Sequence, residues 1–188
     1  MNIFVLDKDP ILAAQQQCDK HVVKMIVESA QMLSTTHRML DGKLEKRKSV
    51  SGKRLVPYWS LHEYDLNKEL TMYKAVHMNH PCTVWTRESE ENYIWHYNHF
   101  CALCDEYQHR YGKVHLTDSL LRDMLKNPPK NIKRGFGPTP FPLAMGSNPE
   151  CMDYSNPVQS YRKFYQTKAK RFDMKWSKRK TPNWFNYA

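Results

Sequence analysis

Residues 9–37 read DPILAAQQQCDKHVVKMIVESAQMLSTTH, and this stretch decides the fold class. Asp9-Pro10 supplies a capping side chain and a proline suited to a first helical turn, so a helix is expected to begin there. Ile11, Leu12, Val22, Val23, Met25, Ile26, Val27, Met32 and Leu33 then recur at helical spacing. The reading is one long helix to about His37, with a break near Asp19.

Upstream, Asn2-Ile3-Phe4-Val5-Leu6 has the β-branched and aromatic character of a short strand. Downstream, residues 41–60 lose the helical period and crowd Lys43, Lys46, Arg47, Lys48, Lys53 and Arg54 into what reads as an exposed basic loop. A shorter helix is predicted over 61–76, ending before Asn79-His80-Pro81. A second long helix is predicted from about Thr86 to Tyr111, with Gly112 as its stop. Thr117–Leu125 reads as a short amphipathic helix, followed by a long irregular connection. Asn156-Pro157 restarts a helix to about Phe172. The expected architecture is mostly α: a single compact helical domain over residues 1–188, with a short N-terminal strand and long irregular loops.

The net charge of +10 exceeds what solubility requires and draws phosphates from a distance. Nucleic acid is the expected partner, DNA ahead of RNA. No apolar run reaches the length of a membrane span, and no signal peptide opens the chain, so a cytoplasmic monomer without membrane attachment is expected. Five cysteines without framework spacing do not describe a secreted disulfide scaffold.

Gln17, Lys20, His21, Lys24, Glu28, Gln31 and Thr35 fall on one arc of the first long helix. Such a stripe can be an ordinary solvated face. Its grouping of an imidazole, two amines and a carboxylate within one or two turns points instead to a site. A neighbouring cation or burial makes a lysine amine nucleophilic while a carboxylate moves protons, which is Schiff-base chemistry. Lys20, His21, Lys24 and Glu28 are therefore the candidate catalytic residues, with His80 beside them in a shared cleft. His80 reads equally as a turn cap. Arg87 is placed in the first turn of the second long helix, where the dipole favours a phosphate.

Cys101 and Cys104 form a CxxC near three histidines, but they sit within a helical apolar pattern and have no second CxxC, so neither a metal nor any other cofactor is expected. From Val158 onward, nine lysines and arginines face Asp173 alone. They are interleaved with rings that include Trp176, Trp184, Phe185 and Tyr187. Cations beside stacking rings suit an unpaired or flipped nucleotide. The expected nucleic-acid contacts are Arg162, Lys163, Lys170, Arg171, Trp176, Lys178, Arg179, Lys180, Trp184 and Phe185 in this basic aromatic segment, 158–188. Arg47, Lys48, Lys53 and Arg54 in the basic loop and Arg87 complete the set.

Three places carry a resemblance to the phage-type pyrimidine-dimer DNA glycosylases of the endonuclease V group. They are Leu12-Ala13-Ala14-Gln15 leading into the charged early helix, Asn79-His80-Pro81 before a long helix ending in Arg110-Tyr111-Gly112, and the closing Arg179-Lys180-Thr181-Pro182-Asn183-Trp184-Phe185. The resemblance implies an all-helical fold that kinks duplex DNA, flips a base and breaks the glycosidic bond through an imine, with a lyase step. That family uses the amine of a small second residue exposed by methionine removal, whereas the second residue here is Asn2. Its arginine-glutamate pair has no clean counterpart in the early helix, so a lysine amine assisted by Glu28 or His21 is the expected machinery. The function read from the sequence is a DNA glycosylase and abasic-site lyase acting on a damaged or modified base. Its rivals are a non-catalytic binder of single-stranded or structured nucleic acid, which needs only the tail and the basic loop, and a nuclease, which needs clustered carboxylates.

Overall fold

The computed structural model describes residues 1–186. It is mostly helical with one small antiparallel hairpin. The elements are α1 (Pro10–Gln15), α2 (Asp19–Asp41), β1 (Lys43–Lys48), β2 (Leu55–Ser60), α3 (Leu66–Thr71), α4 (Pro81–Thr86), α5 (Glu90–Tyr111), α6 (Leu116–Leu125) and α7 (Pro157–Gln166). Short 3-10 turns lie at Pro149–Cys151 and Thr167–Lys170. Tyr187, one of the rings expected in the tail, lies outside the described residues.

The early helix is divided. Asp9 Oδ1 accepts from the Ile11 and Leu12 amides and starts α1. The chain then becomes extended at Cys18, whose amide donates to the Tyr165 hydroxyl at 2.9 Å, and α2 begins at Asp19. From there α2 runs through the middle of the molecule, packing against α4, α5 and α6 while α1 lies along α5. Val22, Met25, Ile26, Ala30, Met32 and Leu33 are buried in this core.

The expected N-terminal strand does not form. A strand needs a partner to take its backbone groups, and segment 2–6 has none among the described residues. Instead the Asn2 side chain accepts from the Phe4 amide at 2.8 Å, and the Leu6 amide donates to the Phe4 carbonyl at 2.7 Å. This turn drives Phe4 to φ 43°, in the left-handed region. The apolar character that suggested a strand serves burial, since Ile3, Phe4, Val5 and Leu6 are all in the core.

The basic loop is a hairpin. Lys43↔Ser60 through Lys48↔Leu55 are paired, which places Leu44 opposite Trp59 and Arg47 opposite Val56. Leu44 is the lone apolar residue of β1 and β2 carries no charge, so neither strand shows a period of two. Behind the hairpin, fully buried Arg38 of α2 donates from its guanidinium to the carbonyls of Trp59, Glu69, Met72 and Tyr73 and to the Glu69 carboxylate. One side chain thus ties α2, β2 and α3 together.

The remaining boundaries shift for local reasons. Asp65 caps α3 late, leaving 61–64 as turn and ending the helix at Thr71. Pro81 opens the separate helix α4, and the Ser89 side chain accepts from the Asn92 amide to restart the chain as α5. Gly112, at φ 67°, stops α5 as expected. After α7 the chain tightens into a 3-10 turn and runs irregularly through 171–186.

Candidate active-site cleft

The first turns of α2 point Lys20, His21, Lys24 and Glu28 into one cleft of about 440 Å³. Its other walls are Met1, Asn2 and Phe4 from the N-terminal turn, Ala144 from the long connection, and Phe164, Lys168, Arg171 and Phe172 from the end of α7 and the turn after it. Spacing of four residues along α2 stacks Lys20, Lys24 and Glu28 on one face.

Glu28 is the only carboxylate among the described residues that line the cleft, and amines surround it. Lys24 Nζ lies 3.2 Å from its Oε1. On its Oε2 converge the Met1 amino group at 3.6 Å and the Asn2 amide at 3.2 Å. Asn2 is fixed there because its side-chain amide donates to the Ala144 carbonyl at 2.9 Å. Lys168 Nζ sits 3.6 Å above the Phe164 ring, and Lys20 Nζ 4.9 Å from the centre of Phe172. Burial lowers the Lys168 pKa, and the charges of Arg171 and Lys24 lower it further.

His21 is an aromatic wall. Its ring stacks on Phe4 at 4.7 Å, meets Phe172 edge-on at 5.4 Å, and shares a 2.7 Å hydrogen bond between Nδ1 and the Tyr165 hydroxyl. Burial, with Lys24 and Lys168 nearby, pushes its pKa down to about 4. These surroundings favour the neutral imidazole, whose Nδ1 is already engaged with Tyr165.

His80 caps α4, with Nδ1 accepting from the Cys82 amide at 3.2 Å. It does not line the cleft but stands close behind it, and burial, the Met1 amino group and His77 lower its pKa while Glu28 opposes them. Arg87 is elsewhere. It is the C-cap residue of α4, not a first-turn residue of the long helix, and it donates to the Met78 carbonyl at 2.6 Å. The dipole argument for a phosphate at Arg87 therefore falls.

The tail divides into core and surface. Trp176 and Phe185 are buried, packed ring on ring at 4.7 Å, and cannot stack on a base. Trp176 donates its ring N–H to the Gln16 carbonyl, and half-buried Trp184 donates to the Gln16 side chain, so both rings close over the break between α1 and α2. Arg179 pairs with buried Glu106, which also holds Arg110, and Arg162 donates to the Leu6 carbonyl and Asp7. Those arginines are engaged within the protein, and Lys178 donates to the His109 carbonyl. Lys163, Lys170, Arg171 and Lys180 are exposed and make no ion pair among the described residues.

In the hairpin, Arg47 is held by Glu45, Glu69 and Ser60 and lies 3.7 Å over the Tyr58 ring. Lys48, Lys53 and Arg54 remain exposed. The CxxC cysteines lie on α5, where burial raises both thiol pKa values. Among the described residues no group of three His, Cys, Asp or Glu side chains is placed to hold a metal ion, and no helix is long and apolar enough to cross a membrane.

Sequence reasoning missed Met1, Phe4, Phe164, Lys168 and Phe172. Phe164, Lys168 and Phe172 recur every four residues, but only Phe164 lies within α7, so the spacing does not mark one face of an α-helix. The contribution of segment 1–4 is tertiary and had no local signature. No protein-family model matches the chain, and no curated protein or solved structure matches it significantly.

Proposed function

We propose that the protein is a DNA glycosylase and abasic-site lyase that takes a damaged or modified nucleotide, flipped out of the duplex, into this cleft. The observation that carries the reading is the gathering of amines around Glu28 between aromatic walls. Half-buried Phe172 offers a ring to a base over a floor of buried Phe4 and Phe164, and Lys20, Lys24 and Arg171 offer charge to its flanking phosphates.

The chemistry follows from those groups. An unprotonated amine attacks C1′ of the sugar as the C1′–base bond breaks, and the departing base takes the electron pair and a proton. Ring opening leaves an iminium at C1′. The Glu28 carboxylate stabilises that positive charge and then accepts a proton from C2′, whose electrons expel the 3′ phosphate. Water hydrolyses the imine and restores the amine. Lys20 and Lys24 are the amines expected from the sequence, and Lys168 and the Met1 amino group join them. Lys168 is favoured because its amine is half-buried over the Phe164 ring beside Arg171 and Lys24, surroundings that lower its pKa.

Borohydride reduction of the protein with DNA containing an abasic site tests the reading. A covalent adduct is expected, and peptide mapping identifies the amine. Lys168→Met, Lys24→Met and Lys20→Met then separate nucleophile from neighbours, since only the nucleophile's loss abolishes trapping. If no adduct forms on any damaged substrate, the lyase reading fails and nucleic-acid binding without catalysis takes its place.

A further inference from the structure

We propose that the groove beside the hairpin is a second nucleic-acid subsite, which takes an unpaired stretch of the strand that enters the cleft. The proposal rests on the reading of the cleft as a nucleotide site, and it concerns different residues.

The groove encloses about 790 Å³ and is lined by the hairpin and the segment Lys74–Val76. Its cations are Arg47, Lys48, Arg54 and Lys74, and the described residues that line it include no acidic one. Arg47 is spent on Glu45 and Glu69, while Lys48, Arg54 and Lys74 are exposed and make no ion pair among the described residues. Half-buried Trp59 is the largest of its apolar residues, which include Val50, Val56 and Pro57. Trp85, Trp95, Trp176 and Trp184 each donate their ring N–H to a protein acceptor. Trp59 has no such acceptor among the described residues. Three unpaired cations around a ring with a spare donor match a phosphate backbone and a stacked base.

The wall of the groove is anchored to α2 on the side of the helix that carries Glu28. The Thr35 hydroxyl accepts from the Val76 amide at 3.1 Å and lies 3.2 Å from the Val76 carbonyl, pinning the groove wall to the helix. Thr35 follows Glu28 by seven residues, which at 3.6 residues per turn returns to within about 20° of the same direction and about 10 Å further along. The chain leaving that wall passes His77, at φ 48°, and reaches His80 behind the Met1 amino group and Glu28. A strand with a nucleotide in the cleft meets the groove after roughly three or more steps of 3.4 Å.

The test uses the full chain and DNA containing a tetrahydrofuran abasic analogue, with 5-iodouracil placed one to eight nucleotides away on either side in an unpaired arm. Photocross-links are expected in peptides spanning 47–59 or 74–76, on one side of the analogue and only from about the third nucleotide outward. Lys48→Glu, Arg54→Glu and Lys74→Glu alter exposed side chains and spare the core. Together they are expected to remove those cross-links, weaken binding to the single-stranded arm by about tenfold or more and flatten its salt dependence by about two. Trp59→Ala is expected to weaken it about tenfold at constant salt slope. Cross-links confined to cleft peptides, with binding unchanged in the triple variant, overturn the groove and leave the cleft standing. Binding of vesicles rich in anionic lipid that the triple variant loses, with oligonucleotide binding unchanged, assigns the groove to a membrane and also overturns the proposal. Failure of wild type to bind any oligonucleotide removes cleft and groove together.

Discussion

Lys24 Nζ and Glu28 Oε1 stand 3.2 Å apart on consecutive turns of α2, in a cleft where the Met1 amino group approaches the other oxygen of the same carboxylate. The pair contributes little to stability because Lys24 is 65% exposed, and such pairs are worth about 0–1 kcal/mol. Its placement matters for charge. Glu28→Gln is expected to lower single-turnover cleavage of abasic DNA by about 10²- to 10⁴-fold. Its urea midpoint should stay close to wild type. Equal cleavage rates in both proteins would remove Glu28 from the chemistry.

Acid should weaken the fold through buried imidazoles. Burial is the leading cause that lowers His21 and His99 to about 4 and His37 and His96 to about 3, from an ordinary 6.5. The unfolded chain then binds more protons than the folded one below pH 6.5, so stability rises with pH through this window. It is fully present above about 6.5 and is lost progressively as pH falls toward 4 and then 3. Unfolding free energies from urea titrations should fall between pH 7.5 and 4.5, by on the order of 1 to 3 kcal/mol for each imidazole. A flat profile would contradict the burial of these rings.

Arg38 is expected to be the most sensitive charged position tested by unfolding. Burial alone would raise the Glu69 carboxyl, but Tyr58, the Leu61 amide and Arg38 outweigh it and hold the pKa at about 2. Arg38→Met takes the guanidinium donors from four carbonyls and leaves the buried Glu69 carboxylate with Tyr58, the Leu61 amide and Arg47 alone. A loss of about 3–5 kcal/mol is expected in equilibrium unfolding. Conservative Arg38→Lys should recover only part of it, because an ammonium cannot reproduce the planar fork of donors.

Trp176→Ala should act on folding, since the ring is buried against Phe185. About 3–5 kcal/mol of stability is at stake. Replacing exposed Lys163, Lys170 and Lys180 together by Gln should instead leave the unfolding midpoint nearly unchanged and reduce the salt slope of DNA binding, by up to about 0.9 for each phosphate no longer neutralised. If the lysine variant unfolds early while the tryptophan variant only binds weakly, the division of the tail is wrong.

What could be read from the chain follows from how local each signal is. Asp9-Pro10, Gly112 and Asn156-Pro157 act within a turn of themselves, and the helices begin or end where those residues place them. The grouping of Lys20, His21, Lys24 and Glu28 was legible because one helix carries all four. Segment 2–6 has the composition of a strand, but composition does not reveal that no second strand lies beside it. The hairpin was hidden for the opposite reason: β1 is charged at every position but Leu44, and it looked like solvated loop. Trp176 and Phe185 resembled ligand-binding rings because cations surround them in sequence, whereas packing against the break before α2 decides their burial. Lys168 and Phe172 lie beyond the end of α7, so their spacing every four residues crosses a change from α to 3-10 geometry.

The unbroken course of α2 from Asp19 to Asp41 limits how the chain can change length. Inserting or deleting one residue between Glu28 and Thr35 would turn everything beyond it by about 100° and shift it by about 1.5 Å. Thr35 would leave Val76, and Arg38 would face away from the carbonyls it holds. The hairpin tip around Gly52 is exposed, and a side chain added there meets no atom within 4 Å. Length variation among descendants of this sequence is therefore expected at the tip, while α2 keeps its 23 residues.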